Sequence, residues 1–289
     1  MMKIKKAIVA VAGSGTRLLP ATKSMPKEML PIVDKPIIQL VVEELVEAGI
    51  QDIILVTKWD KKPLEDHFDY NWALTHELKQ AGKEHLLDEV KKIADMANFI
   101  YVRQKGPYGN GTPILSAASL VEDEPFVFCF GDDLVKSKVS FTKQMVKDYE
   151  KHGNPIIAVQ EVPKSQVNRY GIVKLRSKTM EIEDIIEKPS IEEAPSRLAD
   201  FGRMVLNQEI VDILKKTALG KGNELWIVDA IRTYVKNGGK FMAKTVEDGE
   251  WLTTGDPLNY ITTIMKYAFD RKDIGKEVRK FAKDLLEKK

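Results

Sequence analysis

Short apolar runs, rich in β-branched and aromatic residues, alternate with amphipathic stretches along most of this 289-residue chain. The runs predict strands over residues 6–11, 52–57, 99–103, 126–130 and 156–162. Apolar residues at helical spacing predict a helix over 36–48, between the first two of these strands. Because strands and helices alternate, we expect an α/β fold with a mainly parallel sheet and helices on both faces.

The pattern of the chain changes after residue 170. Residues 170–187 predict two strands joined by a short turn, which form a small β-hairpin region. Two further strands and two helical stretches follow: strands over 200–206 and 240–246, helices over 224–236 and 257–288. We expect one α/β domain, residues 1–256, and a C-terminal helical extension, residues 257–289, that packs on the same domain or contacts another subunit.

Composition excludes several classes of protein. Apolar residues make up 43% of the chain and charged residues 30%, with a net charge of only +2, so no nucleic-acid partner is expected. The single cysteine, Cys129, lies in an apolar run and cannot form a disulfide within the chain. No stretch approaches the ~20 apolar residues that span a bilayer, so we expect a cytoplasmic protein without membrane contact.

A glycine-containing turn follows the first predicted strand and is itself followed by cations. Gly13 and Gly15 allow close approach of the backbone, and Arg17, Lys23 and Lys27 come next. The turn is not a dinucleotide fingerprint, because Leu18 stands where that pattern requires glycine. Loop amides together with a guanidinium and ammonium groups suit a triphosphate. A structural turn with surface cations is the alternative.

Two later segments have the composition of a nucleotide site. Gln104 precedes a loop that contains three glycines, and its amide suits the edge of a pyrimidine, although a flexible loop is the alternative. Asp132 and Asp133 follow the predicted strand 126–130, at the end where open α/β sheets bind ligands. Carboxylates at this position suit Mg²⁺ held together with substrate phosphates, and a plain Asp-Asp turn is the alternative.

The segment "GSGTRLLPATKSMPKEMLPIVDKPIIQLVVEELVEAGI" (13–50) resembles the opening of the bacterial UTP–glucose-1-phosphate uridylyltransferases. Weaker matches continue in order to about residue 260, among them "YGI" at 170–172 and "EKP" at 187–189. The resemblance implies a Rossmann-like mixed sheet. It also implies nucleotidyl transfer, in which glucose 1-phosphate attacks the α-phosphorus of UTP, pyrophosphate leaves and UDP-glucose forms.

The same resemblance assigns roles to residues. It implies a nucleotide-binding group and a group that contacts the reacting phosphates. The nucleotide-binding residues are Ala12, Gly13, Gly15, Thr16, Glu28, Gln104, Gly109 and Asp132, and the phosphate contacts are Arg17, Lys27 and Lys188. It further implies that Gly171 and Glu187 bind glucose, and that Asp132 holds Mg²⁺.

The sequence departs from the family pattern near its end. Many relatives carry a metal-binding aspartate where this chain has Thr253. Asp256 lies close by, but Asp256-Pro257 also has the pattern of a helix cap followed by a proline in the first turn. The second protein ligand of the metal is therefore Asp256, a water molecule or nothing.

We expect an Mg²⁺-dependent enzyme that uses UTP and glucose 1-phosphate and forms a homo-oligomer, either a dimer or a tetramer. Three alternatives stay open at this point. One is specificity for dTTP or an amino-sugar phosphate on the same fold. The others are a nucleotide-sugar-dependent glycosyltransferase and a non-catalytic, nucleotide-binding regulatory relative.

Overall fold

The computed structural model describes residues 3–287. The strands within this range are β1 (Lys6–Ala10), β2 (Pro31–Ile32), β3 (Lys35–Pro36), β4 (Asp52–Thr57), β5 (Asn98–Arg103), β6 (Phe126–Phe130), β7 (Asp133–Ser137), β8 (Ile156–Glu161), β9 (Gly171–Leu175), β10 (Ile182–Glu187), β11 (Leu198–Leu206), β12 (Met242–Thr245) and β13 (Gly249–Thr253). The helices are α1 (Ile37–Glu47), α2 (Lys62–His67), α3 (Trp72–Gln80), α4 (Glu84–Asp95), α5 (Thr112–Ala117), α6 (Phe141–His152), α7 (Gln208–Leu214), α8 (Ile227–Lys236), α9 (Pro257–Asp270) and α10 (Gly275–Glu287).

A nine-stranded mixed sheet forms the centre of the molecule. Its main path runs β10-β9-β11-β6-β1-β4-β5, and β8 pairs with both β11 and β12. The pairs β6–β1, β1–β4 and β4–β5 are parallel, as crossover connections through helices require. Strand β11 is antiparallel to its neighbours and joins this parallel half to the β9–β10 hairpin.

Both faces of the sheet are covered, which explains why its strands are continuous apolar runs. Along β1, Ala7 and Val9 pack into one core with α1 and α6, whereas Ile8 packs into the other core with α5, α7 and α8. All three side chains are fully buried. The predicted fold class, a mainly parallel Rossmann-like sheet with helices on both faces, a small hairpin and C-terminal helices, is confirmed.

Local sequence predicted several elements to within a residue. The strands predicted over 52–57 and 126–130 have these bounds, and the helix predicted over 36–48 spans Ile37–Glu47. The helix predicted over 257–288 is wrong in one respect, because it is two helices that meet at residues 271–274, and residue 288 lies outside the described residues. Arg271 leaves the helical conformation at the end of α9, and its guanidinium pairs with Asp34 and Asp273.

This topology brings the predicted site residues to one edge of the sheet. The carboxyl ends of the parallel neighbours β1 and β6 lie side by side, and the N–H of Gly131 donates to the carbonyl of Ala10 at 3.1 Å. The loop after β1 and the Asp132-Asp133 pair after β6 therefore meet. Within residues 3–287, no helix combines the length and the apolar character that crossing a bilayer requires.

Candidate active site

The loop after β1 is built around its glycines and folds back on itself in three single turns of 3₁₀ helix. Gly15 has a φ of +65°, and its carbonyl accepts a hydrogen bond of 2.8 Å from the hydroxyl of Thr22. A Cβ atom at Gly13 would lie 3.4 Å from Nζ of Lys27, and one at Gly15 would lie 3.2 Å from Cβ of Lys27. The two glycines therefore allow the Lys27 side chain to lie across the loop.

Lys27 reaches the aspartate after β6. Its Nζ lies 2.5 Å from Oδ2 of Asp132, and the two side chains are 17% and 13% exposed. Burial alone would lower the pKa of Lys27, but the carboxylates of Asp132 and Glu28 outweigh burial and raise this pKa above its usual value. The loop cation and the predicted metal ligand thus form one partly accessible ion pair.

Arg17 lies beside the turn after β13, and this turn contacts Asp132. A Cβ atom at Gly255 would lie 3.3 Å from an Nη atom of Arg17, which places the guanidinium beside the turn after β13. The hydroxyl of Thr254 in this turn donates to the carbonyl of Asp132 at 2.7 Å. The Arg17 guanidinium therefore lies beside the turn that hydrogen-bonds Asp132, and the Arg17 side chain is exposed to solvent.

Glu28 lies beneath this cluster rather than in it. Its side chain has no exposed surface, and one of its oxygens lies 2.7 Å from Nζ of Lys61, which is itself 2% exposed. Among residues 3–287, the other oxygen, Oε1, has no hydrogen-bond partner. Burial raises the pKa of Glu28, against the lowering effect of Lys27 and Lys61. Nucleotide contact by Glu28 stays a prediction, and the geometry makes this residue the partner of Lys61.

Asp256 caps a helix, which is one of the two interpretations of this residue that the sequence left open. One carboxylate oxygen accepts from the N–H of Asn259 at 3.1 Å, so Asp256 caps α9. The other oxygen lies 2.9 Å from the guanidinium of Arg169. Both oxygens are therefore engaged in structural contacts, which favours the capping interpretation over a metal ligand.

The loop between β5 and α5 is held by a segment that is distant in sequence. The carbonyl of Tyr108 accepts from the N–H of Leu225 at 2.7 Å, and the N–H of Gly111 donates to the Leu225 carbonyl at 2.9 Å. Gly109 has a φ of +121°, and a Cβ atom there would lie 2.2 Å from the Leu225 oxygen. Only glycine satisfies both conditions. Contact of Gln104 and Gly109 with a base stays a prediction.

The predicted sugar residues lie on the hairpin side of the sheet. Gly171 at the start of β9 pairs with Glu187 at the end of β10, and Oε1 of Glu187 lies 3.5 Å from Nζ of Lys188. This ammonium also lies 4.0 Å from the centre of the Trp226 ring, which is a cation–π contact. Burial raises the pKa of Glu187, although Lys188 counteracts the shift.

The whole sequence matches known proteins. The family described as nucleotidyl transferase matches residues 6–269. The chain belongs to this family. The UTP–glucose-1-phosphate uridylyltransferase of Bacillus subtilis (strain 168) is 42% identical over 291 residues, which cover 100% of this chain and 99% of that protein. The enzyme of the same name from Staphylococcus haemolyticus is 43% identical and covers 99% of both chains.

Solved structures of nucleotidyl transferase relatives share the fold. A UDP-glucose pyrophosphorylase complexed with UDP-glucose has a TM-score of 0.83 and 41% identity, covering 93% of this chain and 100% of that one. A UTP-bound UDP-glucose pyrophosphorylase from Acinetobacter baumannii has a TM-score of 0.88 and 36% identity, covering 99% and 100%. Members of this family generally use a divalent metal.

The residues of this nucleotidyl transferase fit a metal that arrives with a triphosphate. Mg²⁺ is commonly held by one or two carboxylates plus substrate phosphates, and Asp132 supplies one partly exposed carboxylate. Residues 3–287 contain no group of three or more His, Cys, Asp or Glu side chains placed to hold a metal by themselves. The protein ligands therefore suit a site that the substrate completes.

Sequence reasoning missed three side chains that contact the predicted residues of this nucleotidyl transferase. They are Lys61 against Glu28, Trp226 against Lys188, and Asp200, which lies against Gly171. Each is more than 25 positions along the chain from its partner, so no local pattern indicates the contact. A charged residue inside an apolar strand, as Asp200 is in β11, was the one available signal.

Proposed function

We propose that this protein transfers a uridylyl group from UTP to glucose 1-phosphate and so forms UDP-glucose and pyrophosphate. An oxygen of the sugar phosphate attacks the α-phosphorus of UTP, and the bond from this phosphorus to the oxygen bridging to the β-phosphate breaks. The observation that carries the proposal is the Lys27–Asp132 ion pair at one sheet edge, with the Arg17 guanidinium beside the turn that hydrogen-bonds Asp132. The names of the full-length relatives support the choice of substrates.

The roles follow from charge and position. We assign Arg17 and Lys27 to the phosphates that leave. A guanidinium can hydrogen-bond two phosphate oxygens at once, and the Lys27 ammonium can exchange its contact with Asp132 for one with a phosphate oxygen. Lys188 lies on the hairpin side, where we place the sugar phosphate, and its positive charge offsets the repulsion between the two substrates. Backbone amides of Ala12, Gly13, Gly15 and Thr16 would surround the triphosphate.

We assign Asp132 as the protein ligand of Mg²⁺, which supplies charge neutralisation at the phosphates when bound. The reaction needs no protein nucleophile, so the contribution of this chain is to position the substrates and to stabilise negative charge. We further place uracil against Gln104 and Gly109, and glucose against Gly171 and Glu187, in agreement with their positions on either side of this cluster.

A pyrophosphate-release assay tests the proposal. UTP, dTTP, ATP, CTP and GTP are each combined with glucose, galactose and N-acetylglucosamine 1-phosphates, with and without Mg²⁺. We expect the highest kcat/KM for UTP with glucose 1-phosphate, and only in the presence of Mg²⁺. A preference for dTTP or an amino-sugar phosphate would establish a related specificity, and UTP binding without turnover would establish a regulatory relative.

Single variants connect the assay to the site. Loss of one cation that stabilises the transition state costs about 2–4 kcal/mol, so Arg17→Ala should lose about 30- to 1,000-fold in kcat. Lys35→Ala is the matched control, since Lys35 pairs with Glu43 outside the cluster and should keep its activity. Equal activity of Arg17→Ala and Lys35→Ala would refute the role of Arg17.

We also infer that the protein is a homo-oligomer, a dimer or a tetramer. The support is an exposed apolar face on the two C-terminal helices. Its members, which we name the C-terminal apolar face, are Leu258, Ile261 and Met265 on α9, and Phe281, Leu285 and Leu286 on α10. All six side chains are at least 41% exposed, and exposed apolar side chains concentrated on two neighbouring helices are typical of protein–protein contacts.

A further inference from the structure

A row of three residues crosses the sheet on the hairpin side. The pairing of β11 with β9 sets Ala199 opposite Ile172, so Asp200 is the next residue along and faces Gly171. Gly171 in turn pairs with Glu187 on β10. Side chains of directly paired residues lie on the same face of a sheet, so the carboxyl groups of Asp200 and Glu187 lie on one face, on either side of a glycine.

The Asp200 carboxyl occupies the space that a side chain at position 171 would fill. A Cβ atom at Gly171 would lie 2.3 Å from Oδ2 of Asp200 and 3.1 Å from a methyl carbon of Val228 on α8. Any residue other than glycine would displace this carboxyl group. Asp200 keeps 6% of its surface exposed, and the Glu187 side chain keeps 8%, so both residues are largely buried and retain a small accessible area.

The backbone of β11 fixes the direction of this carboxyl group. Oδ1 of Asp200 accepts a hydrogen bond of 3.1 Å from the N–H of Gly202, and Gly202 has a φ of +66°. The register of β11 against β8 shifts between Asp200 and Met204, which is where this local turn lies. One carboxyl oxygen is therefore held by the main chain, while the other lies against Gly171.

The charges around the row differ for its two acids. Burial and the neighbouring Glu187, with a smaller effect from Asp133, raise the pKa of Asp200 to about 8, against the lowering effects of Lys188 and the N–H of Gly202. Glu187 has the Lys188 ammonium 3.5 Å away, whereas the hydrogen-bond partner of Asp200 is a neutral amide. The raised pKa of Asp200 favours its protonated form at neutral pH, whereas the Lys188 ammonium favours the ionised form of Glu187.

We propose that Asp200 is a further sugar-binding residue, and that its Oδ2 hydrogen-bonds a ring hydroxyl of the hexose phosphate bound beside Gly171 and Glu187. This inference rests on the proposed function, which places the sugar at this end of the site. A hydroxyl group both donates and accepts, so it matches a pair in which one carboxyl donates and the other accepts. Position 200 lies outside the segments 170–172 and 187–189 that carry the family resemblance on this side of the sheet, so the resemblance does not predict this contact.

Two substitutions at position 200 test the inference, with activity of the unmodified protein on UTP and glucose 1-phosphate measured first. Asp200→Asn keeps the acceptor for Gly202 and offers an amide donor in place of the protonated oxygen, so at pH 7 we expect both KM values within 2-fold of the unmodified protein. Asp200→Ala removes the group, and we expect the KM for glucose 1-phosphate to rise at least 5-fold with the KM for UTP unchanged.

The control variant is Glu183→Gln on β10, because Glu183 is an exposed carboxylate whose partner is Lys174 on the neighbouring strand. It should leave both KM values unchanged. If Asp200→Ala lowers the unfolding temperature but changes the two KM values by the same factor, or changes neither, Asp200 serves only the turn in β11 and the inference is wrong. If the unmodified protein itself releases no pyrophosphate from any substrate pair, the proposed function has failed instead.

A pH series provides a readout that a purely structural residue would not change. Because the pKa of Asp200 is raised to about 8, going from pH 7 to pH 9 favours its ionised form and adds negative charge beside Gly171. The KM of the unmodified protein for glucose 1-phosphate should therefore rise over this range. Asp200→Asn cannot ionise, so its KM should stay flat over the same range. The same rise in both proteins would overturn the assignment even if Asp200→Ala fails to fold.

Discussion

At the scale of single residues, the buried pair of Lys61 and Glu28 links stability to the site. We predict that Lys61→Met destabilises the protein by about 3–5 kcal/mol, because it leaves a carboxylate without its partner in a fully buried position. Urea unfolding measures the change. The exposed neighbour Lys62, replaced in Lys62→Met, is the control and should leave the free energy of unfolding nearly unchanged.

A second substitution identifies the cause of this loss. Glu28→Gln combined with Lys61→Met removes the unpaired charge, so the double variant should be more stable than Lys61→Met alone. If the double variant is as unstable as Lys61→Met, the loss comes from packing of the lysine stem and not from the isolated carboxylate.

The contact between Lys188 and Trp226 leads to a prediction about activity. We expect Trp226→Leu to reduce kcat/KM for glucose 1-phosphate by about 2- to 30-fold, which corresponds to the ~0.5–2 kcal/mol of a cation–π contact. Trp226→Phe keeps a ring face and should retain most of the activity. Trp72→Leu, at a side chain that is 76% exposed, is the control for loss of an indole elsewhere. Equal losses for Trp226→Leu and Trp226→Phe would contradict a role for the ring face.

At the scale of elements, substitutions of Asp256 at the start of α9 distinguish helix capping from metal binding. Asparagine caps helices as well as aspartate does, so we predict that Asp256→Asn keeps the stability of the protein and the Mg²⁺ concentration that gives half-maximal rate. Asp256→Ala should lose about 0.5–2 kcal/mol of stability with the same Mg²⁺ dependence, measured by thermal unfolding and pyrophosphate release. A higher Mg²⁺ requirement in Asp256→Asn would instead make this residue a metal ligand.

Elements whose information is local could be predicted from the sequence, and elements fixed by distant contacts could not. The strand at 126–130 and the helix near 37–47 follow from apolar runs and helical spacing alone. The break at 271–274 could not be predicted, because the apolar stripe continues beyond it and the Arg271–Asp34 pair spans most of the chain. In the candidate site, sequence motifs predicted the loop cations and Asp132. They did not predict Lys61 and Asp200, which lie on other elements.

At the scale of the whole molecule, the sheet divides the proposed substrate contacts between two sides. The parallel half places Arg17, Lys27 and Asp132 at the carboxyl ends of β1 and β6, and the antiparallel half places Gly171 and Glu187 on the hairpin. Because β11 pairs with strands of both halves, it holds the two sides in fixed relation. We therefore infer that the in-line geometry of the proposed reaction is set by this single strand.

The C-terminal helices carry the prediction about assembly. We propose that residues 257–289 are an extension whose exposed side contacts a second copy, and that Ile261→Glu combined with Phe281→Glu disrupts this contact. Ile261 is 55% exposed and Phe281 is 67% exposed, so neither substitution disturbs the core of one chain. Sedimentation equilibrium should show the unmodified protein as a dimer or tetramer and the double variant at the mass of one chain.

An exposed aliphatic side chain outside this face, Val139, provides the matched control. Val139→Glu, at a side chain that is 48% exposed in the turn between β7 and α6, adds the same charge away from the C-terminal apolar face. It should leave the sedimentation mass unchanged. Because the face lies on α9 and α10 and the proposed substrate contacts lie in the loops after β1, β5 and β6 and at the hairpin of β9 and β10, the double variant should also keep its kcat. An unmodified protein that sediments as a monomer would refute the proposed assembly, and a fall in kcat that accompanies dissociation would show that the active site depends on the second copy.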